Sequence, residues 1–190
     1  MYDGILNLLL YYEDLFVGTL CTFHTKPVHL KVKEDTVPKH HETFPIVEKH
    51  KETLKNGLKW LYKLGTVRKS SDSTWAVPTF IIPKKNCTVW IISDLRNWKK
   101  SLVRKPHHIY KIADVLQKIY GLVWARSLNL NLGYQYIVCL ESDSQKVCTV
   151  ITLWGKYQYL RLPMGVSISP NIFQEKMSSL LHDLYMYVST

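Results

Sequence analysis

The sequence predicts an α+β fold on three observations: short runs of β-branched and aromatic residues, leucine stripes at helical spacing, and no strict alternation of the two. The strand-like runs cluster between residues 79 and 162, while the clearest helical stripes lie around 48–64 and from Pro170 onward. With 190 residues, 46% of them hydrophobic, six Trp and twelve Tyr, the chain is long enough and apolar enough for one ordinary domain with a core.

The opening run "MYDGILNLLLYY" reads as an amphipathic helix. It has no basic leading segment and no small-residue cleavage site, it carries Asp3, and its apolar core is far short of the roughly 20 residues that span a bilayer. The chain is therefore expected to be intracellular, cytoplasmic or nuclear, with no membrane partner. Residues 28–33 ("VHLKVK") alternate as a strand does, and Pro38 and Pro45 mark an extended connector. A helix is expected over 48–64, with Leu54, Leu58, Leu61 and Leu64 on one side and Gly65 ending it. Gly57 inside it costs about 1 kcal/mol relative to Ala.

Residues 79–82 and 88–92 predict a hairpin joined by "PKKNC", with lysines at its tip. A turn after Asn86 would favour Gly, because φ > 0 is easy only there, and Cys87 suits it poorly. A helix over 109–120 should end at Gly121. Strands are expected at 124–130, 136–140, 147–152 and 157–162. The last element carries Ile172, Phe173, Met177, Leu180, Leu181 and Leu184 on one face, with Pro170 near its first turn.

The net charge of +10 is unevenly placed: residues 49–111 hold fifteen Lys or Arg against three acids, leaving the remainder slightly negative. Such a stretch suits a polyanion, and a solvated basic face explains it equally well. The four cysteines (Cys21, Cys87, Cys139, Cys148) form no CxxC pair, so neither a zinc site nor a disulfide framework is suggested.

Five blocks in order resemble the reverse transcriptase of gypsy-like (Metaviridae) long-terminal-repeat retrotransposons: "LGTVRKSSDSTWAVPTFIIPKK" (64–85), "SDLR" (93–96), "RKPHHIYKIADVLQKI" (104–119), "SLNLNLGYQYIV" (127–138), and "WGKYQYLRLPMG" (154–165) with "SPNIFQEKM" (169–177). The resemblance covers residues 14–190. It implies a right-hand polymerase with fingers and palm, the palm sheet incomplete. Residues 1–47 would be a lead-in helix, strand and connector, 48–126 the fingers, and 127–190 a partial palm.

The family joins a deoxynucleotide to a primer 3′-hydroxyl on an RNA or DNA template, using two Mg²⁺ or Mn²⁺ ions held by anionic oxygens. The resemblance puts the first catalytic aspartate at Asn129, between Leu128 and Leu130 with Gly133-Tyr134 following. A neutral carbonyl oxygen cannot neutralise two dications, so no catalytic or metal-binding set is intact. The Tyr-x-Asp-Asp motif that would follow "DLYMYVST" (183–190) does not occur, and the chain is expected to be a degenerate, truncated, inactive product. Glu141 and Asp143 would face away from the metals, and Asp94 would pair with Arg96.

By the same resemblance the nucleotide-handling positions are Lys84, Lys85, Tyr134, Met164 and Gly165. Those for template and primer are Arg96, Arg161, Pro163, Ser169, Pro170 and Gln174. A solvated turn accounts for Lys84 and Lys85 equally well, and a core tyrosine for Tyr134. Trp90 stands where the family has an arginine on the triphosphate, and Trp cannot make charge-assisted phosphate contacts. Two alternatives remain: a non-catalytic basic nucleic-acid-binding module, with Trp60, Trp75, Trp90 and Trp98 available for stacking, or a pseudogene-type product with an uncovered helix face.

Overall fold

A computed structural model describes residues 2–13, 25–84, 89–104, 111–118, 120–121, 123, 138–166 and 168–182. In chain order the elements are α1 (Tyr2–Tyr11), α2 (Glu48–Lys63), β1 (Val67–Lys69), β2 (Val77–Pro83), β3 (Val89–Ser93), α3 (Arg96–Lys99), α4 (Ile112–Lys118), α5 (Ser142–Val147), β4 (Thr149–Thr152), β5 (Gly155–Tyr159) and α6 (Ser169–Leu180). Helices and strands are interspersed around one mixed sheet, which agrees with the α+β expectation.

The sheet has five strands among the described residues, in the order β1-β5-β4-β2-β3. The β2–β3 pair is the expected hairpin, antiparallel from Thr79↔Ser93 to Pro83↔Val89. β4 and β5 form a second antiparallel hairpin, with Thr152 opposite Gly155 at its turn. The two hairpins meet by a short parallel pairing, Val77↔Val150 and Pro78↔Ile151. β1 closes one edge against β5, Val67 opposite Tyr159.

α2 buries Leu54, Leu58 and Leu61, positions i, i+4 and i+7, as its leucine stripe requires. Its end is built as the sequence suggests. Gly65 sits at φ +68°; its N–H donates to the Tyr62 carbonyl at 3.0 Å, and Thr66 N–H donates to the Leu61 carbonyl at 3.1 Å. These two bonds satisfy carbonyls the helix itself leaves open. Gly57 also acquires a reason: a Cβ there would lie 3.0 Å from Ile91 Cδ1, so its absence lets α2 pack close to β3.

Several expectations are corrected. Residues 28–33 alternate in burial, with Leu30 in the core, yet they form no named strand. Their backbone is shared between partners: Val28 N–H donates to Cys139 O (2.8 Å), Lys33 N–H to Ser101 O (2.9 Å) and Leu30 N–H to the buried Ser144 Oγ (2.7 Å). No single ladder grows long enough to be a strand. Val147, expected to start a strand, ends the helix α5 instead: Ser142–Val147 is a six-residue helix that Cys148 closes, its N–H donating to Ser144 O, before β4 begins. β1 had no sequence signal of its own. Three residues bracketed by Thr66 and Ser70 show no period, and pairing with β5 is what extends them. The helix expected over 109–120 is described only as Ile112–Lys118. The strand expected at 124–130 lies outside the described residues.

The core gathers Leu61, Val67, Trp75, Val77, Trp98, Val138, Val150 and Leu162 from α2, α3, the sheet and the connecting segments. α6 contributes Ile172, with Phe173 and Met177 packed against this cluster while Leu180 is 40% exposed. Its apolar face is therefore partly covered rather than bare. α1 differs, since residues 4–13 are exposed throughout and bury no face among the described residues. No helix among the described residues is long and apolar enough to cross a membrane.

Candidate nucleic-acid interface

β5 continues into residues 160–162, which run antiparallel to 138–140. Leu140 N–H donates to Leu160 O (3.0 Å) and Leu162 N–H to Val138 O (2.9 Å). The chain then turns at Met164-Gly165. Gly165 has φ +89°, a left-handed conformation that strains any residue with a Cβ. Met164 is 60% exposed at the apex.

The turn is pinned at both ends. Pro163 and Ser169 are buried; Ser169 Oγ donates to the Pro163 carbonyl at 3.0 Å, and Ser169 N–H donates to Val166 O at 3.1 Å. The two bonds tie the turn to the start of α6. Pro163 and Ser169 thus shape the turn and present no exposed side chain of their own. Arg161 is half-buried, its Nη1 donating to Cys139 Sγ at 2.9 Å. Pro170 is exposed, while Gln174, one turn along α6, donates Nε2 to Ser178 Oγ at 3.3 Å. Six of the expected positions, Arg161, Pro163, Met164, Gly165, Ser169 and Pro170, are therefore brought together in one local structure.

Of the other expected positions, Lys84 and Arg96 are described, and both sit at the β2–β3 hairpin rather than at that turn. Lys84 is exposed just past β2, at the hairpin tip. Arg96 follows the opposite end of β3, where its Nε and Nη2 donate to Asp94 Oδ1 and Oδ2 at 2.8 and 2.7 Å. This is the expected pair. The hydrogen bonds from Arg96 hold the Asp94 carboxyl below its ordinary range, against the opposing effect of partial burial. Trp90 lies on β3 opposite Ile82. Lys85, Cys87, Asn129 and Tyr134 lie outside the described residues.

The two other carboxylates considered for the metals are both paired. Glu141 meets His29 Nδ1 at 3.1 Å and Asp143 meets Lys146 Nζ at 3.1 Å. No group of three or more His, Cys, Asp and Glu stands ready for a metal among the described residues. Two of the four tryptophans offered for stacking are core: Trp75 is 6% and Trp98 2% exposed, whereas Trp60 is 50% exposed. Burial also silences Cys148, pushing its thiol far above its ordinary range.

A second basic region has no signal in the linear sequence. Arg68 and Lys69 on β1, Lys146 at the end of α5 and Lys156 on β5 line one hollow. Two of these lie beyond the 49–111 stretch, so charge counting along the chain could not join them.

No family model matches the chain. It is 24% identical over 172 residues to the retrovirus-related Pol polyprotein from transposon 297 of Drosophila melanogaster, covering 88% of this chain. It is 25% identical over 165 residues to that from transposon gypsy of the same organism, covering 81%. The chain spans only 16% of the length of either relative. In three dimensions it matches the prototype foamy virus protease–reverse transcriptase with a TM-score of 0.83 at 21% identity, over 95% of this chain and 24% of that one. The fold is shared with a reverse transcriptase. A second structure of the foamy viral enzyme, in complex with an RNA/DNA hybrid, matches with a TM-score of 0.79 at 20% identity over the same shares. The relatives are retroelement polyproteins, and the chain resembles one portion of them.

Proposed function

We propose that the chain is the fingers and partial palm of a gypsy-like reverse transcriptase, that it meets template–primer nucleic acid, and that as a 190-residue polypeptide it performs no polymerisation. The observation that carries this reading is Asn129 in an otherwise matching first motif, on a chain whose fold matches a reverse transcriptase across 95% of its length. The relatives and the pinned Met164-Gly165 turn support it. In this reading the exposed apex of that turn faces the template–nucleotide pair, with Arg161 and Pro170 flanking it.

The donor set does not fit the family's two dications. Asn129 supplies one neutral oxygen, and Trp90 replaces a cation that would hold the triphosphate. Loss of charged groups aimed at developing charge costs orders of magnitude in rate. What remains is a positively charged surface suited to a polyanion.

Primer extension with Mg²⁺ or Mn²⁺ tests the claim. The native chain and Asn129→Asp are both expected to give no templated incorporation. Clear extension by either, above a no-protein control, overturns the proposed silence. Salt-sensitive retention of a template–primer is expected at low ionic strength, and its absence would remove the nucleic-acid reading.

A further inference from the structure

Two hollows flank the edge strand β1 on opposite faces of the sheet: Gln158, the register partner of Arg68, and Lys156 line one, and Tyr157, the partner of Lys69, lines the other. The smaller, about 290 Å³, lies between α2 and the sheet edge and is lined by Lys55, Lys59, Tyr62, Lys69, Trp154 and Tyr157. The larger, about 810 Å³, is lined by Arg68, Lys69, Lys146 and Lys156 together with Ser70 and Ser71, with Asp72 the one acid lining it among the described residues. Lys69 belongs to both, so the hollows meet around the edge of the sheet. Among the described residues, none of the positions that the family resemblance assigns to nucleotide or template lines either one.

The arrangement follows from local structure. On α2, Lys55, Lys59 and Tyr62 stand at i, i+4 and i+7, a stripe one position round from the buried Leu54, Leu58 and Leu61. Packing the leucines inward therefore presents two ammonium groups and a phenol ring in a row. Tyr62 is 58% exposed, and Trp154 and Tyr157 are half-exposed across from it on the β4–β5 hairpin. On the other face, Arg68 Nε donates to the buried Gln158 Oε1 at 3.1 Å and Lys156 Nζ to Ser73 O at 2.9 Å. These bonds orient two cations without neutralising them. Lys55, Lys59 and Lys69 have no acidic partner among the described residues.

We propose that this edge binds a single-stranded polynucleotide, with bases against Tyr62 and Trp154 and phosphates along Lys55, Lys59, Lys69 and Arg68. Exposed aromatic rings between spaced cations suit unpaired bases on a phosphate chain, since base–aromatic stacking needs no particular sequence. A duplex hides its base faces and is too stiff to pass from one face of the sheet to the other round a single strand. The site requires no polymerase activity and uses none of the residues of the Met164-Gly165 turn.

The test is fluorescence anisotropy of labelled 20-nucleotide oligo(dT) and oligo(U), the two sources of this chemistry, titrated with the 190-residue chain at several salt concentrations. Four phosphate contacts give a log–log salt slope of about −3, at roughly −0.7 per contact. The triple variant Lys55→Glu, Lys59→Glu, Lys69→Glu is expected to weaken binding at least tenfold at low salt, while Lys99→Glu, Lys100→Glu changes it less than twofold. Tyr62→Ala, which keeps the charge and removes an exposed ring, should cost at least about fivefold on base-bearing strands and nothing on an abasic strand. Thermal melts confirm that the variants fold.

Equal affinity of the triple variant and the native chain overturns the proposal, as does loss through Lys99 and Lys100 instead. Displacement by polyglutamate as efficiently as by oligonucleotide, charge for charge, also overturns it. A chain that binds duplex template–primer yet shows these negative results leaves the reverse-transcriptase reading standing and this site refuted.

Discussion

Ser169→Ala isolates the bond that joins the Met164-Gly165 turn to α6. Ser169 Oγ donates to the Pro163 carbonyl at 3.0 Å, and both residues are buried. Alanine removes the donor and leaves that carbonyl without its hydroxyl partner in a place water does not reach. A typical hydrogen bond contributes about 0.5–1.5 kcal/mol net, and an abandoned buried acceptor costs about 1–3 kcal/mol. Removal of the hydroxyl's own desolvation offsets part of this, so the expected loss is about 1–2 kcal/mol. For a chain of this size that lowers Tm by about 2–8 °C.

The assay is urea unfolding followed by far-ultraviolet circular dichroism, with Ser71→Ala as an exposed control expected within about 0.5 kcal/mol. Amide exchange at Gly165 and Val166 should accelerate in Ser169→Ala while exchange in α2 keeps its protection relative to global stability. A loss below about 0.5 kcal/mol, or uniform acceleration everywhere, would show that the turn is held by something other than this bond.

Gly57→Ala should yield little of the roughly 1 kcal/mol that helix propensity offers, because the new Cβ meets Ile91 Cδ1 at 3.0 Å. In an Ile91→Val background, which removes that methyl, the same change should stabilise by about 1 kcal/mol, and full stabilisation without the second change would refute the packing argument. Asp94→Asn should lower the urea midpoint at pH 7. The bonds from Arg96 depress the folded-state pKa of Asp94 below the ordinary 3.8, so its stabilisation is present above that value and fades as pH falls through the lower, folded value. A difference between the two proteins that persists unchanged well below pH 3.8 would contradict this. Cys148 is buried and its thiol is held protonated by burial. Mass-mapped alkylation at pH 8 should therefore leave it unmodified until denaturant is added, and rapid labelling in buffer would refute its placement.

The sequence was most legible where a local period meets a local stop signal. α2, with its leucine stripe and Gly65, could be read nearly residue by residue, as could the hairpin of β2 and β3. It was least legible where structure is supplied by distant partners. β1 exists because β5 lies beside it, and the extended run around Leu30 divides its backbone between 101–103 and 139–144, which no local pattern announces. The turn at Met164-Gly165 was legible through the family resemblance, but the roles of its members were not. Burial separates Pro163 and Ser169, which shape it, from Met164, which projects. The second basic surface was illegible because its cations come from β1, α5 and β5, and only the folded sheet sets them side by side.

The pairing of β1 with β5 also bears on how the chain is made. Arg68 meets its partner Gln158 across 90 residues of sequence. A ribosome adding about 5–20 residues per second leaves β1 waiting roughly 5–20 s before its neighbour emerges. During that interval α2 is already long enough to form, and Leu54, Leu58 and Leu61 have only part of their eventual cover. What waits is β1 itself, an unpaired strand edge for seconds, a state suited to holdase chaperones and to association between neighbouring nascent copies. Slowing elongation after residue 70 should lower the soluble yield, and slowing it after 160 should not.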